Sequence, residues 1–469
     1  MKRILVLLSF LLPASPGVLS NASKAAETAK PNFLLILADD LGLPALGCYG
    51  GIYKTPNLDR LASGGTRFER CFSAPLCAPT RAMLMTGRYG FRTGVTDNGR
   101  GAAATPQKDG SMALLMKKAG YATAVAGKWR QLSHFTTKAD GARWGFDEFL
   151  IWGAGTPDED EPQAVGKKKR AADGTKVKPD RYWSPDYNLN GGLLKDAENK
   201  YGPDVLNEFV IDFVRRHKDT PFFIYYPTPL IHGPILRTPD SKSREKGDKQ
   251  RLKGAGPAGN TGLDSLYADN IAYLDKLIGK LVAELDALKL REKTLIVFVG
   301  DNGSVPVGTL NGRSVDGKKS NLTEGGSRVP LIANWPGTTP AGVVRQDLVD
   351  VSDMLQTFAE LAGAKLPAEP KIDGRSFAQQ LRGEKGQPRE WVYVQLRDNR
   401  YVRSDRWKLT GLGDLFDMSD APFRQIPVAA EAMNPEAKAA KEKLQAILDI
   451  MKSDEAVTTP DRKKRKRKP

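Results

Sequence analysis

The sequence predicts an α/β fold: a mixed, mostly parallel sheet sandwiched by helices, followed by a smaller C-terminal α+β subdomain. Three observations predict it. Short, largely apolar runs recur at residues 33–38, 122–126, 222–226 and 294–299, and strands hydrophobic on both sides belong to sheets covered on both faces. Stretches of helical periodicity lie between them, so strands and helices alternate. Beyond about Leu366 the apolar runs shorten, and the texture becomes that of a small antiparallel sheet with a closing helix.

The elements follow in order. Lys2 and Arg3 precede an apolar run over residues 4–12, and small residues follow around Val18, Leu19 and Ser20. This is the layout of a secretory signal peptide over residues 1–21, and it predicts an exported protein, periplasmic or extracellular. The run is too short to span a bilayer, and no other stretch approaches that length, so no transmembrane segment is expected. Residues 22–30 read as a linker, and residues 31–365 as the larger domain. Its first strand, 33–38, ends in Asp39-Asp40. Thr55-Pro56 opens a helix that Gly64-Gly65 closes. Residues 122–126 form another short buried strand. Leu206, Phe209, Val210, Phe213 and Val214 share a helical face, Thr220-Pro221 stops that helix, and residues 222–226 are again a strand. A long amphipathic helix carries Ile271, Leu274, Leu277, Ile278, Leu281, Val282 and Leu285. The strand 294–299 then ends in Gly300-Asp301-Asn302-Gly303. In the C-terminal subdomain, residues 366–455, the segments 392–394 and 401–403 read as antiparallel strands. A helix over 436–451 closes it, capped by Asn434 with Pro435 in its first turn. Residues 456–469 form a basic tail. The polar, basic segment 158–181 reads as a surface insertion.

Composition narrows the function. The 469 residues carry a formal net charge of +16 and three cysteines, Cys48, Cys71 and Cys77. So few cysteines exclude a disulfide scaffold. The positive balance suits an anionic partner, and for an exported chain nucleic acid is not the expected one.

Two buried strands end in oxygen-ligand pairs, Asp39-Asp40 and Asp301-Asn302. In open α/β sheets, ligands bind beyond the carboxyl ends of strands. Three carboxylates and an amide oxygen suit a hard divalent cation, Ca²⁺ or Mg²⁺. The same residues also fit a helix cap and a turn, and spacing alone does not separate the readings. Cys77 is followed by Pro79 and Arg81, which puts Cys77 and Arg81 one helical turn apart near a helix N-terminus. That environment favours negative charge on residue 77 and suits an activated nucleophile. A buried inert cysteine, or a disulfide to Cys71, is the alternative.

The pattern Cys-x-Pro-x-Arg followed by Thr-Gly, here CAPTRAMLMTG, resembles the signature of the sulfatase family of the alkaline phosphatase superfamily. The resemblance runs from Pro31 to about Met418. It includes LADDLG, TPNLDRLASGGTRF, GYATAVAGKW, a Pro-rich strand end with His232, GDNGS, EGGSRVPLI and DGRSF. It implies an arylsulfatase-like hydrolase with an alkaline-phosphatase-like sheet. It further implies that a maturing, formylglycine-generating enzyme converts Cys77 to Cα-formylglycine (3-oxoalanine). The hydrated aldehyde would supply one hydroxyl to attack sulfur and a second through which sulfate is expelled. Asp39, Asp40, Asp301 and Asn302, with residue 77, match the family's metal ligands, usually for Ca²⁺. Arg81 matches the arginine that holds the hydrated aldehyde. Lys128 and Lys319 match lysines that bind sulfate, and His232 the histidine that protonates the leaving oxygen. The implied substrate is a sulfated small molecule or a sulfated oligo- or polysaccharide.

One position departs from the family pattern: Gly-Lys-Trp-His is here Gly127-Lys128-Trp129-Arg130. An arginine stays protonated and cannot take the proton whose removal expels sulfate. A different base, a role for His134, or impaired turnover would each answer the change. Two alternatives to a sulfatase stand beside it: a phosphonate monoester or phosphodiester hydrolase of the same superfamily, which can use the same aldehyde, and, on Arg130 alone, a sulfated-glycan-binding relative that has lost catalysis.

Overall fold

A computed structural model of the chain describes residues 30–129, 132–133, 135–152, 181–241 and 261–458. The signal peptide, the basic tail beyond residue 458 and all of the segment 158–181 except Arg181 lie outside the described residues, while residues 456–458 of the tail extend the closing helix.

Among the described residues, twelve strands precede the C-terminal sheet. They are β1 (Asn32–Ala38), β2 (Thr66–Phe72), β3 (Ala122–Lys128), β4 (Glu148–Trp152), β5 (Asn188–Leu189), β6 (Gly192–Leu193), β7 (Phe222–Thr228), β8 (Thr294–Gly300), β9 (Thr309–Leu310), β10 (Arg313–Ser314), β11 (Arg328–Asn334) and β12 (Val343–Asp350). Ten of them form one sheet in the order β12-β2-β11-β8-β1-β7-β3-β4-β5-β6, while β9 and β10 make a separate hairpin. The centre, β8-β1-β7-β3-β4, is parallel. β11 runs antiparallel to both its neighbours, so the sheet is mixed and mostly parallel as predicted. Pro330 on β11 has no N–H to donate, and the pairing with β2 shifts register there.

Alternation along β1 shows how the sheet is covered. Phe33, Leu35 and Leu37 enter one hydrophobic core, with residues of the helices Cys77–Thr86, Met112–Lys118 and Asp353–Ala362. Leu34, Ile36 and Ala38 enter a second core, with residues of the helices Pro56–Ser63, Gly202–Arg216 and Thr261–Ala287. Every residue of β1, β7 and β8 is buried, which is why these strands read as unbroken apolar runs.

A second sheet follows: β13 (Val392–Leu396), β14 (Asn399–Arg403), β15 (Trp407–Thr410), β16 (Leu415–Asp417) and β17 (Ile426–Pro427), antiparallel throughout. The closing helix runs Pro435–Thr458, longer than predicted, and the Asn434 side chain accepts from the Ala437 amide at 2.8 Å. Among the described residues no helix is long and apolar enough to cross a membrane.

Candidate active site

The candidate residues leave the sheet at one edge. Ala38 of β1 lies opposite Gly300 of β8, so Asp39-Asp40 and Asp301-Asn302 emerge side by side. The Asp301 amide donates to the Ala38 carbonyl at 3.0 Å, and the Asp40 amide donates to Asp301 Oδ1 at 2.9 Å. Asp40 sits at φ 58°, a left-handed turn that aspartate tolerates better than most residues. β3 ends in Lys128, and β7 runs out through Pro229 to His232. The helix Cys77–Thr86 begins at Cys77 itself, with Arg81 one turn on and both buried. The Ala78 amide, unpaired within its helix, donates to Asn98 Oδ1 at 3.1 Å.

The sequence-derived candidates converge on one cluster. The Cys77 thiol lies 3.5 Å from Asp39 Oδ1 and 3.7 Å from Asp40 Oδ1, and Lys319 Nζ lies 3.5 Å from its sulfur. Arg81 donates to Asp301 Oδ2 through Nε at 3.1 Å and Nη2 at 2.7 Å, and Nη2 is 3.5 Å from Asp39 Oδ1. Lys128 Nζ donates to Asp39 Oδ2 at 2.7 Å, and Lys319 Nζ pairs with Asp40 Oδ1 at 2.6 Å. His232 Nε2 is 3.8 Å from Asp40 Oδ2. All three cysteines are free, so the disulfide to Cys71 is set aside. Arg130 and His134 lie outside the described residues.

Charge in the cluster is organised around its carboxylates. Burial works to raise the Asp39 carboxyl, yet the charges of Lys128, Arg81 and Lys319 together hold it well below its ordinary value. Asp40 is lowered in the same way, against its burial, by the charges of Lys319 and Lys128. Asp301 goes the other way, pushed up to about 7 by burial and by the charge of Asp39. Burial, with the Asp301 charge, raises the Cys77 thiol well above its ordinary value, so the side chain is not disposed to be a thiolate nucleophile. Burial and the Lys128 charge hold His232 down to about 3, which makes its ring neutral.

The donor set suits a hard cation. Oxygen, sulfur and nitrogen atoms of Asp39, Asp40, Cys77 and His232 lie within 4.8 Å of one another. Asp40 Oδ2 and Asn302 Oδ1 are buried with no hydrogen-bond partner, and Asn302 spends its Nδ2 on Asp40 Oδ1 and the Gly303 carbonyl, both at 2.9 Å. Buried acceptors left unsatisfied are costly. A divalent ion taking oxygen ligands would satisfy both.

A family model described as sulfatase matches residues 31–364, and a second, described as N-sulphoglucosamine sulphohydrolase, C-terminal, matches 318–412. The chain belongs to the sulfatase family. It is 30% identical over 436 residues to human arylsulfatase D, covering 77% of this chain and 70% of that one. It is 33% identical over 383 residues to N-acetylgalactosamine-6-sulfatase of Canis lupus familiaris, covering 76% and 67%. The solved structure of Ps i-CgsB in complex with k-i-k-neocarrahexaose superposes with a TM-score of 0.70 at 28% identity, covering 91% of this chain and 93% of that one. The sulfatase is thus a hydrolase of sulfate esters, and its sheet is of the alkaline-phosphatase-like kind.

Two further residues stand at the sulfatase site with no signal in the sequence. Tyr225 of β7 packs beside Arg81 and Asp301. Arg181 reaches His232 Nδ1 at 2.8 Å and is only 8% exposed. It stands at the end of a segment that reads as surface insertion, and at this residue that reading is corrected. Its burial comes from Trp152 and Tyr182, aromatic neighbours that a local reading of a polar segment does not bring to it.

Proposed function

We propose that this sulfatase releases sulfate from a sulfated carbohydrate or an aryl sulfate, using a nucleophile made from Cys77. The convergence of three carboxylates, two lysines and an arginine on the Cys77 side chain carries the reading. The cysteine would be converted to Cα-formylglycine, placing oxygen where the sulfur now stands. Its hydrate would supply both the attacking hydroxyl and an internal route for expelling sulfate, which a sulfated thiol or alcohol lacks. Asp39, Asp40, Asp301 and Asn302, with residue 77, would hold the cation, Ca²⁺ in preference to Mg²⁺, which would offset charge on the sulfate oxygens.

The chain's own residues have separable tasks. Arg81 fixes Asp301 and faces residue 77, so it orients the nucleophile. Lys128 and Lys319 sit on carboxylates of the metal set, within reach of an anion bound there, and stabilise the charge that builds on it. His232, nearer the surface, serves the leaving oxygen. Burial of Cys77 and Lys128, 1% and 3% exposed, strengthens each of these interactions by excluding water. A relative named for N-acetylgalactosamine 6-sulfate and a structural neighbour holding a neocarrahexaose favour a carbohydrate ester. The net charge of +16 agrees. The N-terminal leader supports export, with a maturing enzyme acting on Cys77.

Mass spectrometry of the Cys77 peptide from the native source tests the nucleophile: the expected mass is that of the aldehyde, and a thiol at full occupancy overturns the reading. Rates on matched aryl sulfate and aryl phosphonate esters test the substrate. Preference for sulfate is expected, and a clear preference for phosphonate overturns it.

A further inference from the structure

His232 has two neighbours that compete for one ring nitrogen. The Gly233 carbonyl oxygen lies 2.7 Å from Nδ1, and Arg181 Nη2 lies 2.8 Å from the same atom. They require opposite things. The carbonyl accepts, so it favours hydrogen on Nδ1. The guanidinium only donates and does not deprotonate, so it favours the Nδ1 lone pair. Arg181 Nη2 also donates to the Gly233 carbonyl and so takes one of its two lone pairs, while the guanidinium hydrogens beside Nδ1 exclude a hydrogen there. The ring hydrogen is thereby sent to Nε2, the nitrogen that faces the centre, 3.8 Å from Asp40 Oδ2.

The arginine is built into its place. It is 8% exposed, with its guanidinium carbon 4.4 Å from the Trp152 ring centre and 5.4 Å from that of Tyr182. Tyr182 pins the loop that carries the histidine, its hydroxyl donating to the Pro229 carbonyl at 2.9 Å and to that of His232. Trp152 comes from the end of β4, beside Lys128 on β3, so the arginine is fixed to the same sheet edge as the site.

We propose that Arg181 is a positioning residue for His232: it fixes the Nε2–H tautomer and so makes the ring the hydrogen donor to the leaving oxygen. The proposal rests on the reading of His232 as the leaving-group donor. As the sulfur–oxygen bond breaks, its electron pair passes to the ester oxygen, and that oxygen takes the Nε2 hydrogen. The negative charge left on the ring is shared between its two nitrogens, so Nδ1 carries part of it against the Arg181 guanidinium, and water returns the proton to Nε2. A neutral imidazole is a suitable electrophile for such an oxygen. Without Arg181, the Gly233 carbonyl holds hydrogen on Nδ1, and Nε2 presents a lone pair to an oxygen that is gaining negative charge.

The test uses matured, metal-loaded enzyme and two esters: an alkyl or sugar sulfate, whose alkoxide needs a donor, and an aryl sulfate of an acidic phenol, which does not. Arg181→Met keeps an unbranched chain against Trp152. It is expected to lower kcat/KM on the alkyl ester by about 10²-fold, with at least a roughly tenfold smaller loss on the aryl ester, and Arg181→Lys is expected to restore most of it. Equal losses on the two esters overturn the proposal. His232→Ala is the control for the underlying reading. A steep leaving-group dependence there beside a flat one in Arg181→Met condemns the arginine alone, and flat dependence in both condemns the donor reading too. Nitrogen-15 NMR gives an independent measurement, tractable with three histidines in the chain. Hydrogen on Nε2 of His232 is expected in the unsubstituted enzyme, and hydrogen on Nδ1 overturns the proposal.

Discussion

Arg81 and Asp301 show what a single pair does in this site. Both are essentially inaccessible to solvent, and the guanidinium puts two donors on one carboxylate oxygen. Removing one partner of a buried pair strands the other charge, at about 3–5 kcal/mol. Asp301→Ala is therefore expected to do two things: abolish turnover, because a proposed ligand is gone, and lower the denaturant midpoint, because Arg81 keeps only the 3.5 Å contact with Asp39. Calcium titration of the folded variant separates the two, since a fold defect alone leaves cation affinity intact. The cysteines make a cleaner contrast. Cys77→Ala is expected to reduce sulfate release by at least about 10³-fold with little change in stability. Cys48→Ala, at a partly buried position whose backbone amide already donates to Asp59 Oδ1 at 2.8 Å, is expected to retain activity within about twofold.

At the scale of elements, the loop that brings Lys319 to Cys77 is anchored from the second sheet. Five residues beyond Lys319, Glu324 is 2% exposed and accepts from Arg403 Nε of β14 at 2.9 Å and from Arg328 Nη1 at 3.2 Å. Ser327 Oγ and the Tyr401 hydroxyl of β14 lie 2.6 Å apart, and Lys408 Nζ of β15 donates to the Leu322 carbonyl at 2.6 Å. Glu324→Gln is expected to cost about 3–5 kcal/mol by urea unfolding, because two buried arginines lose their counter-charge. Arg403→Leu in the same chain is expected to recover part of that cost. Little of this anchoring is legible in the sequence, whereas β1, β7 and β8 are, because burial on both faces leaves an apolar signature. β2 hides because Arg67, Glu69 and Arg70 interrupt it as partly buried charges, and β11 hides because Pro330 argues against a central strand. The site follows the same rule. Asp39, Asp40, Asp301 and Asn302 mark the ends of legible strands, while Arg181 acts only through the Trp152 and His232 brought to it by folding.

For the whole molecule, buried charges away from the site set how stability depends on pH. Asp350, at the end of β12, is fully buried. Its Oδ1 accepts from the Ser352 amide at 2.9 Å and from the Ser352 hydroxyl at 2.6 Å, while its Oδ2 has no hydrogen-bond partner. Arg389, the nearby cation, is committed to Asp353, both of whose oxygens accept from Nε at 2.8 Å. Burial, against the pull of Arg389, pushes the Asp350 carboxyl from 3.8 up to about 7. Between those values the folded chain holds a proton that the unfolded chain has released, so stability falls as pH rises through the window. Lys408 works in the opposite direction: burial, opposed by the Glu324 charge, lowers it from 10.5 to about 8. Between about 8 and 10.5 the unfolded chain holds the extra proton, and stability rises with pH. The Asp350 share is read as a difference between two chains, because His232, held down to about 3, titrates in an overlapping range with the opposite slope. Urea midpoints of the unsubstituted chain and of Asp350→Asn, with calcium saturating so that Asp301 stays ionised, are expected to show the unsubstituted chain losing stability relative to the variant as pH rises from 3.8 to about 7. A constant difference across that window would place the titrating proton on another group.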